Sequence, residues 1–244
     1  MSEVFLPGHF PQETSPIEQI SFRDGTASKY SCGFSGVYAI LRSIKTVFQS
    51  SIFRTPTPNM KNYSVRMIRE NMENIPQFSI PEGFAIRNYR WNEGHIWTRI
   101  LQAGEPYAEI DDELFDREFK RHLSVMEDRS FYLTTDTGEE IGTITAWWQD
   151  RDGEVWGQIH WVVIHPDYQG HGLSKPMMTV AMERLKRSHE RCFLGTSTGR
   201  IPAIKVYLDF GFTPDMSHEN SQEAWTEVAS VLEHPSLASF QKLL

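Results

Sequence analysis

Apolar residues recur with a helical period near the start of the chain. Between residues 37 and 48 they stand at i, i+3, i+4, i+7, i+10 and i+11, with polar residues on the opposite face. This pattern predicts an amphipathic helix. Proline and glycine interrupt the rest of residues 1–75, and residues 55–59 are typical of a linker. We therefore expect an N-terminal extension over residues 1–75, whose helix either packs on its own domain or forms a dimer or partner interface.

Strand-like alternation and helical spacing then follow each other from residue 84 onward. The patterns predict strands at 84–90, 129–135, 140–148, 155–164 and 191–197, with helices at 95–103, 113–122, 201–209 and 221–232. A further helix begins at about residues 172–175, because Pro176 is tolerated only in a first turn, and a last strand starts near Phe212. This order predicts an α+β fold in which helices flank a mixed, mostly antiparallel sheet. We expect this domain over residues 76–216, with a C-terminal helical segment, residues 217–244, packed on it.

The composition is that of an ordinary globular protein, with 39% hydrophobic and 23% charged residues. A net charge of −8 argues against nucleic acid as a partner, because such binding needs clustered Lys and Arg. Only Cys32 and Cys192 are present, so we expect neither a disulfide framework nor a cysteine metal site, and the histidine spacing indicates no metal either. The chain shows no signal-peptide pattern and no apolar run of about 20 residues, so we expect a cytoplasmic protein with no membrane partner.

The stretch from His160 to Ser174 carries the strongest functional signal. An apolar strand ends at Pro166, and a loop with Gly170 and Gly172 leads into the next helix. Glycine lets the backbone approach a ligand closely, and the first N–H groups of a helix are unpaired at the positive end of its dipole. This arrangement predicts a site for a phosphate or pyrophosphate.

Two segments together resemble a known family. Residues 163–174 read VIHPDYQGHGLS, and residues 200–212 read RIPAIKVYLDFGF. The first is similar to the Gln/Arg-x-x-Gly-x-Gly/Ala pyrophosphate loop of the GNAT superfamily of acyl-CoA-dependent N-acetyltransferases, and the second to its Ala-x-x-x-Tyr…Gly-Phe segment. The order of elements over about residues 83–216 also fits that fold. Ser174 stands where the loop usually has Gly or Ala, and Arg200 stands where the second segment often has Asn.

The resemblance implies that acetyl-CoA is the co-substrate and that its acetyl group moves to a primary amine by direct attack in a ternary complex. It assigns the cofactor contacts to the loop and the preceding strand: Val162, Val163, Ile164, Gln169, Gly170, His171, Gly172, Leu173, Ser174 and Lys175. The loop would hold the pyrophosphate, Lys175 would add charge, and residues 162–164 would pair with the pantetheine arm as an added strand. Tyr207 matches the family's general acid, which meets the departing thiolate.

The acceptor needs a base, because an amine with a pKa near 10.4 is neutral in only about one molecule in 2,500 at pH 7, a deficit of ~4.6 kcal/mol. Strand alternation predicts that the even-numbered residues from Gln158 to Ile164 share one face. Relatives often carry a Glu or His on this face, and histidine as a residue type titrates near neutrality, so His160 is the candidate base. The alternative is a hydrogen-bonded core histidine, and Glu93 and Glu154 are reserve candidates.

Two other functions stay open at this point. A non-catalytic acyl-CoA-binding or sensing module would use the same loop, with His160 and Tyr207 as structural residues. More remotely, residues 195–199 match the Gly-x-Ser-x-Gly nucleophile elbow of serine hydrolases, with Ser197 as the nucleophile, although few residues follow it to supply the acid and the histidine. The sequence does not identify the acceptor, a small-molecule or peptide amine, and it leaves a homodimer open.

Overall fold

The structure, a computed structural model, describes residues 61–151 and 153–242. The predicted helix at residues 37–48, the predicted linker at residues 55–59 and Cys32 lie outside the described residues.

The described chain alternates strands and helices in an order close to the predicted one. The strands are β1 (Ser64–Arg69), β2 (Phe84–Asn88), β3 (Ser130–Thr135), β4 (Glu140–Arg151), β5 (Glu154–Ile164), β6 (Cys192–Ser197) and β7 (Thr213–Pro214). The α-helices are α1 (Gly94–Gly104), α2 (Leu114–Phe119), α3 (Leu123–Arg129), α4 (Ser174–Lys186), α5 (Ile201–Asp209), α6 (Ser221–Val231) and α7 (Ala238–Gln241). Short 3₁₀ turns cover Lys120–His122, Pro166–Tyr168 and Pro235–Leu237. No helix in this part of the chain has the length and apolarity needed to cross a bilayer.

The seven strands form one sheet in the order β2-β3-β4-β5-β6-β1-β7. Neighbouring strands are antiparallel except β5 and β6, which run parallel. These two strands pair only where Gly157 lies opposite Cys192 and Gln158 opposite Phe193. Beyond this point no ladder joins them, so they separate toward their C-terminal ends. The predicted α+β fold with a mixed, mostly antiparallel sheet is confirmed.

Strand β1 falls outside every predicted strand. It lies between β6 and β7 and is antiparallel to both, with Ser64 opposite Ser197. Val65 and Met67 point into the core in the alternation that a strand requires, but six residues beside an irregular segment give too short a pattern to recognise. The expected extension over residues 1–75 therefore includes an interior strand, and the sheet domain begins at Ser64 or earlier.

Helices cover both faces of the sheet and create two apolar clusters. The first cluster contains residues of α4, α5 and α6, including Met177, Leu208 and Trp225. The second contains residues of α1 and α2, including Trp97 and Phe119. Trp225 is fully buried, and burying a large apolar side chain contributes about 1.5–3 kcal/mol to folding stability. Helix α6 therefore stabilises the same core as α4 and α5.

Most predicted elements agree with the observed ones to within three residues. Helix α5 spans the predicted residues, and α4 begins at Ser174, inside the predicted range. The main difference is the predicted helix at 113–122, which ends as an α-helix at Phe119, continues as a 3₁₀ turn and is followed by α3. The change in helix type redirects the chain, so that α3 leads directly into β3.

Candidate functional site

The separation of β5 from β6 opens a cleft at the C-terminal ends of both strands. From Ile159 to Ile164, β5 pairs with β4 except at Trp161 and Val162, and it has no partner on the side of β6. β6 stays in the sheet because its other edge pairs with β1. A free strand edge presents N–H and C=O groups that an extended ligand can pair with. In the structure, the Ile164 carbonyl accepts a hydrogen bond from Gln169 Nε2 at 2.9 Å.

The glycine-rich loop lies at the end of β5 and is open. The turn at Pro166–Tyr168 leads to Gly170 (φ 80°) and Gly172 (φ 75°), both of which are exposed. No atom lies within 4 Å of the place where a Cβ would stand on either glycine. Leu173 is 1% exposed and anchors the start of α4 in the core. The loop backbone ahead of α4 is therefore accessible to a ligand.

Besides Gln169, two further side chains that were predicted to contact the cofactor are engaged within the protein. His171 Nδ1 lies 3.1 Å from the carbonyl oxygen of Tyr168. Lys175 Nζ forms an ion pair with Asp209 at 3.3 Å and lies 5.0 Å from the centroid of the Phe78 ring. Because its charge is already paired with Asp209, Lys175 offers less positive charge to a phosphate than the sequence suggests.

His160 lies beside a carboxylate that the sequence analysis did not single out. Its Nε2 lies 2.8 Å from Glu118 Oε2, and Trp161 Nε1 donates to the same oxygen at 3.2 Å. A carboxylate accepts, so His160 Nε2 carries the proton, and Nδ1 then accepts from Gln158 Nε2 at 3.3 Å. The hydrogen bond from His160 is the main reason that the pKa of Glu118 lies below its ordinary value, and it outweighs burial, which acts to raise that pKa. Glu118 is therefore a charged partner that orients the imidazole.

A bulge in β5 brings His160 and Trp161 onto the same face. Thr143 lies opposite Val163 and Thr145 opposite His160, so two steps along β4 match three along β5. Trp161 lies in the left-handed region, with φ 48°, which is uncommon for a residue other than glycine. The predicted common face from Gln158 to Ile164 is therefore wrong beyond His160, because the extra residue reverses the alternation.

Tyr207 lies in α5 with its ring packed among core residues. Its side chain is largely buried, and its ring meets Phe212 edge to face at a centroid distance of 6.3 Å. Burial is the main cause that raises the pKa of Tyr207 to about 12. The positive charge of nearby Arg200 opposes this shift, and the negative charge of Glu105 adds to it. The phenol is therefore neutral over the whole working range and keeps the proton that a hydrogen-bond donor needs.

An ion pair joins the segment after α1 to the start of α5. Arg200 Nη1 donates to Glu105 Oε2 at 2.8 Å, and Nη2 donates to the other carboxylate oxygen, so the contact is two-pronged. The Glu105 side chain is only 3% exposed. Burial acts to raise the pKa of Glu105, but hydrogen bonds from Arg200 and from the amide of Tyr107 hold it below its ordinary value. Arg200, the departure from the family pattern, is thus paired with a buried carboxylate.

The other candidates from the sequence are engaged elsewhere. Glu93 pairs with Arg87 at 2.7 Å, and Glu154 lies at the opposite end of β5 from the cleft, 3.3 Å from Arg191. The hydroxyl of Ser197 accepts from Arg200 Nε at 3.4 Å, and no hydrogen bond joins it to a histidine in residues 61–242 as described. A serine triad at Ser197 therefore has no support from the geometry.

A separate groove of about 460 Å³ is lined mainly by residues of α1, of α2 and of the segment between β2 and α1. Tyr89, Trp91, His95 and Phe115 are among its lining residues, and none of the predicted site residues belongs to it. The groove is therefore separate from the gap between β5 and β6.

The sheet, the cleft between parallel neighbours and the glycine loop before α4 define an acyl-CoA N-acyltransferase fold. The model of the family described as "Acetyltransferase (GNAT) family" matches residues 85–212, which is more than half of the chain. The chain belongs to this family.

Two curated relatives carry the name mycothiol acetyltransferase. The one from Streptomyces coelicolor (strain ATCC BAA-471 / A3(2) / M145) is 23% identical over 198 residues, 79% of this chain and 60% of the relative. The one from Streptomyces bingchenggensis (strain BCW-1) is 25% identical over 143 residues, 57% of this chain and 46% of the relative. The chain thus spans about half to three fifths of the length of these relatives. A solved GCN5-related N-acetyltransferase from Sphaerobacter thermophilus has a TM-score of 0.48 and 14% identity, covering 63% of this chain and 48% of that one.

Proposed function

We propose that this protein is an N-acetyltransferase that moves the acetyl group of acetyl-CoA to a primary amine by direct attack in a ternary complex. The single observation that carries the proposal is the cleft where β5 and β6 part. It has an open glycine loop at one end and the His160–Glu118 pair on the adjoining face. Membership of the acetyltransferase family supports the same chemistry.

The donor would be held mainly by backbone. Amides of residues 169–174 ahead of α4 would bind the pyrophosphate, because they lie at the positive end of the helix and nothing fills the space beside Gly170 and Gly172. The free edge of β5 over residues 162–164 would pair with the pantetheine arm, and the Gln169 amide would leave the Ile164 carbonyl when that arm binds. Bound acetyl-CoA supplies an activated thioester at the cleft.

His160 would act as the general base. Glu118 holds the Nε2 proton, so Nδ1 is the ring atom that takes the proton of the acceptor ammonium, after the Gln158 amide has moved aside. The Glu118 carboxylate then stabilises the imidazolium that forms, as carboxylates do in other histidine–carboxylate pairs. The amine nitrogen bonds to the acetyl carbon while the bond from that carbon to sulfur breaks, and the second proton of the nitrogen passes to solvent as the amide forms.

Tyr207 would donate a hydrogen bond to the sulfur as negative charge develops on it. With its pKa raised to about 12 and that of a thiol near 8.5, full proton transfer is uphill by roughly 3.5 pH units, ~5 kcal/mol. A preorganised donor stabilises the thiolate without that transfer. Solvent can complete the protonation after the product leaves.

The acceptor is proposed to be a small-molecule or peptide amine, because the cleft is open and the named relatives are mycothiol acetyltransferases. The test is a thiol-release assay with acetyl-CoA against a panel of amines that includes a mycothiol-related amine, amino acids, polyamines and peptides, together with calorimetric binding of CoA. We expect CoA binding and turnover of at least one class, lost in His160→Gln. CoA binding without turnover would favour the sensing module, and absence of CoA binding would refute the donor assignment.

A further inference from the structure

The segment that follows α1 crosses the open end of the cleft. A Cβ on Gly104 would lie 2.6 Å from Val163 Cγ1 and 3.0 Å from the Ile164 carbonyl oxygen, so this end of α1 lies against the end of β5. One residue later, Glu105 is bound to Arg200, which follows the end of β6. Since β5 and β6 are parallel, their ends lie at the same edge of the sheet. The Glu105–Arg200 pair therefore bridges the two strands where they have separated.

Additional contacts support this bridge on the side of β6. The guanidinium of Arg200 lies 4.8 Å from the centroid of the Tyr107 ring, and the Tyr107 hydroxyl donates to the Gly199 carbonyl at 3.4 Å. A Cβ on Gly199 would lie only 2.8 Å from the Tyr107 hydroxyl oxygen and 2.9 Å from Asn62 Oδ1, so glycine permits the close approach. The segment after α1 is thus held against the residues that precede α5 by an ion pair, a ring and a hydrogen bond.

Arg200 and Tyr207, the proposed hydrogen-bond donor to the thiolate, belong to the same helix. Arg200 is the N-cap of α5, and Tyr207 follows seven residues later, about two helical turns, so both lie on the same side of the helix. Tying Arg200 therefore fixes the rotation of α5 about its axis. Because Glu105 is almost fully buried, its charge would be costly without this partner.

We propose that the Glu105–Arg200 pair, here called the clasp, is a positioning element that holds α5 at the mouth of the cleft and so orients Tyr207 for the acetyl transfer. This inference rests on the proposed function. Arg200 and Glu105 are positioning residues, since they act through Tyr207. The clasp accounts for an arginine at a position where the family often has asparagine.

The test combines kinetics with a background that lacks the hydroxyl. We expect Glu105→Gln to lower kcat by about 10-fold or more and to leave the KM for acetyl-CoA within about twofold. In a Tyr207→Phe background, the same substitution should change kcat by less than about twofold, because the group that it positions is absent. Arg200→Lys keeps the charge but loses the two-pronged contact, and it replaces Glu105→Gln if that variant does not fold.

A matched control separates the clasp from a general loss of charge. Arg117→Gln breaks an exposed two-pronged pair between α2 and Asp111, which lies in the segment that joins α1 to α2. This substitution should leave kcat within about twofold. If Glu105→Gln retains full kcat, or loses the same factor with and without the Tyr207 hydroxyl, the clasp is refuted. If the wild-type protein turns over no amine, the proposed function fails instead, and hydrogen exchange of α5, residues 201–209, decides on the clasp. Faster exchange in Glu105→Gln than in Arg117→Gln supports it, and equal exchange overturns it.

Discussion

Replacing Glu118 with Gln removes the charge that is proposed to stabilise protonated His160 and keeps nearly the same shape. The His160 Nε2 and Glu118 Oε2 atoms are 2.8 Å apart, which places the charge centres roughly 4 Å apart, worth about 4 kcal/mol at an effective dielectric constant of 20. The two side chains are 21% and 31% exposed, so solvent screening reduces this to ~1.5–3 kcal/mol. We therefore expect kcat to fall by roughly 10- to 100-fold.

The assay is thiol release at saturating acetyl-CoA with the best acceptor found. The KM for acetyl-CoA should stay unchanged, because Glu118 contacts the proposed base and not the loop that is proposed to hold acetyl-CoA. Glu113→Gln makes the same chemical change at a side chain that is 89% exposed, and it should behave as wild type. Equal kcat values for Glu118→Gln and Glu113→Gln would refute the base assignment.

The same pair predicts how folding stability responds to acid. The pKa of Glu118 lies below its ordinary value, chiefly because of the hydrogen bond from His160. As pH falls, Glu118 is therefore protonated in the unfolded chain before it is protonated in the folded protein. Its contribution to folding stability is fully present above the ordinary glutamate pKa near 4.3, and it is lost as pH falls through the lower pKa of the folded state. Urea unfolding between about pH 3 and pH 7 should show a steeper acid loss for wild type than for Glu118→Gln.

Three further predictions concern the donor side and the core. Tyr207→Phe should lower kcat by roughly 100-fold with little change in acetyl-CoA affinity, and unchanged turnover would remove its role. Gly172→Val should raise the KM for acetyl-CoA at least about 10-fold. Gly138 also has a positive φ and open space around it, at a hairpin turn, so Gly138→Val should lower stability without changing that KM. Cys192 is fully buried, and burial raises the pKa of its thiol to about 12, so iodoacetamide at about pH 8 should not label it in the native protein by peptide mass mapping.

The features that the sequence predicts well are those with local signals. Pro176 and the two loop glycines fix the start of α4, and the apolar spacing with Gly211 fixes α5, because turns and helix ends depend on nearby residues. The fold class follows from the order of such elements. The position of the glycine loop could therefore be predicted before any contact was known.

The polar partners of the site could not be predicted because they pair across long stretches of chain. Glu118 is 42 residues from His160, and Glu105 is 95 residues from Arg200. The signal available for Glu118 was a carboxylate between Phe115 and Phe119 on a helix whose apolar face is buried, which indicates a charge close to the core. Strand β1 was missed for a different reason, since its six residues beside an irregular segment give too short an alternation to recognise.

The bulge at Trp161 explains why two successive residues of one strand serve the same carboxylate. In a regular strand their side chains would point to opposite faces, whereas here both donate to Glu118 Oε2. A bulky residue with positive φ costs of order 1–3 kcal/mol, so the strained backbone is consistent with a functional constraint. The ring of Trp161 also packs edge to face on Trp97, with centroids 5.5 Å apart, which helps to hold it in place.

Trp161→Phe separates the hydrogen bond from the packing, because it keeps a ring and removes only the indole N–H. Glu118 then loses one of its two donors. Since its side chain is 31% exposed, water replaces part of the contact, and the loss is about 1 kcal/mol, or roughly 5-fold in kcat. Combined with Glu118→Gln, the substitution should add little, because both act through the same oxygen. Full additivity in the double variant would show that Trp161 affects catalysis by a route other than Glu118, and the converging donors would then be only a structural feature of the bulge.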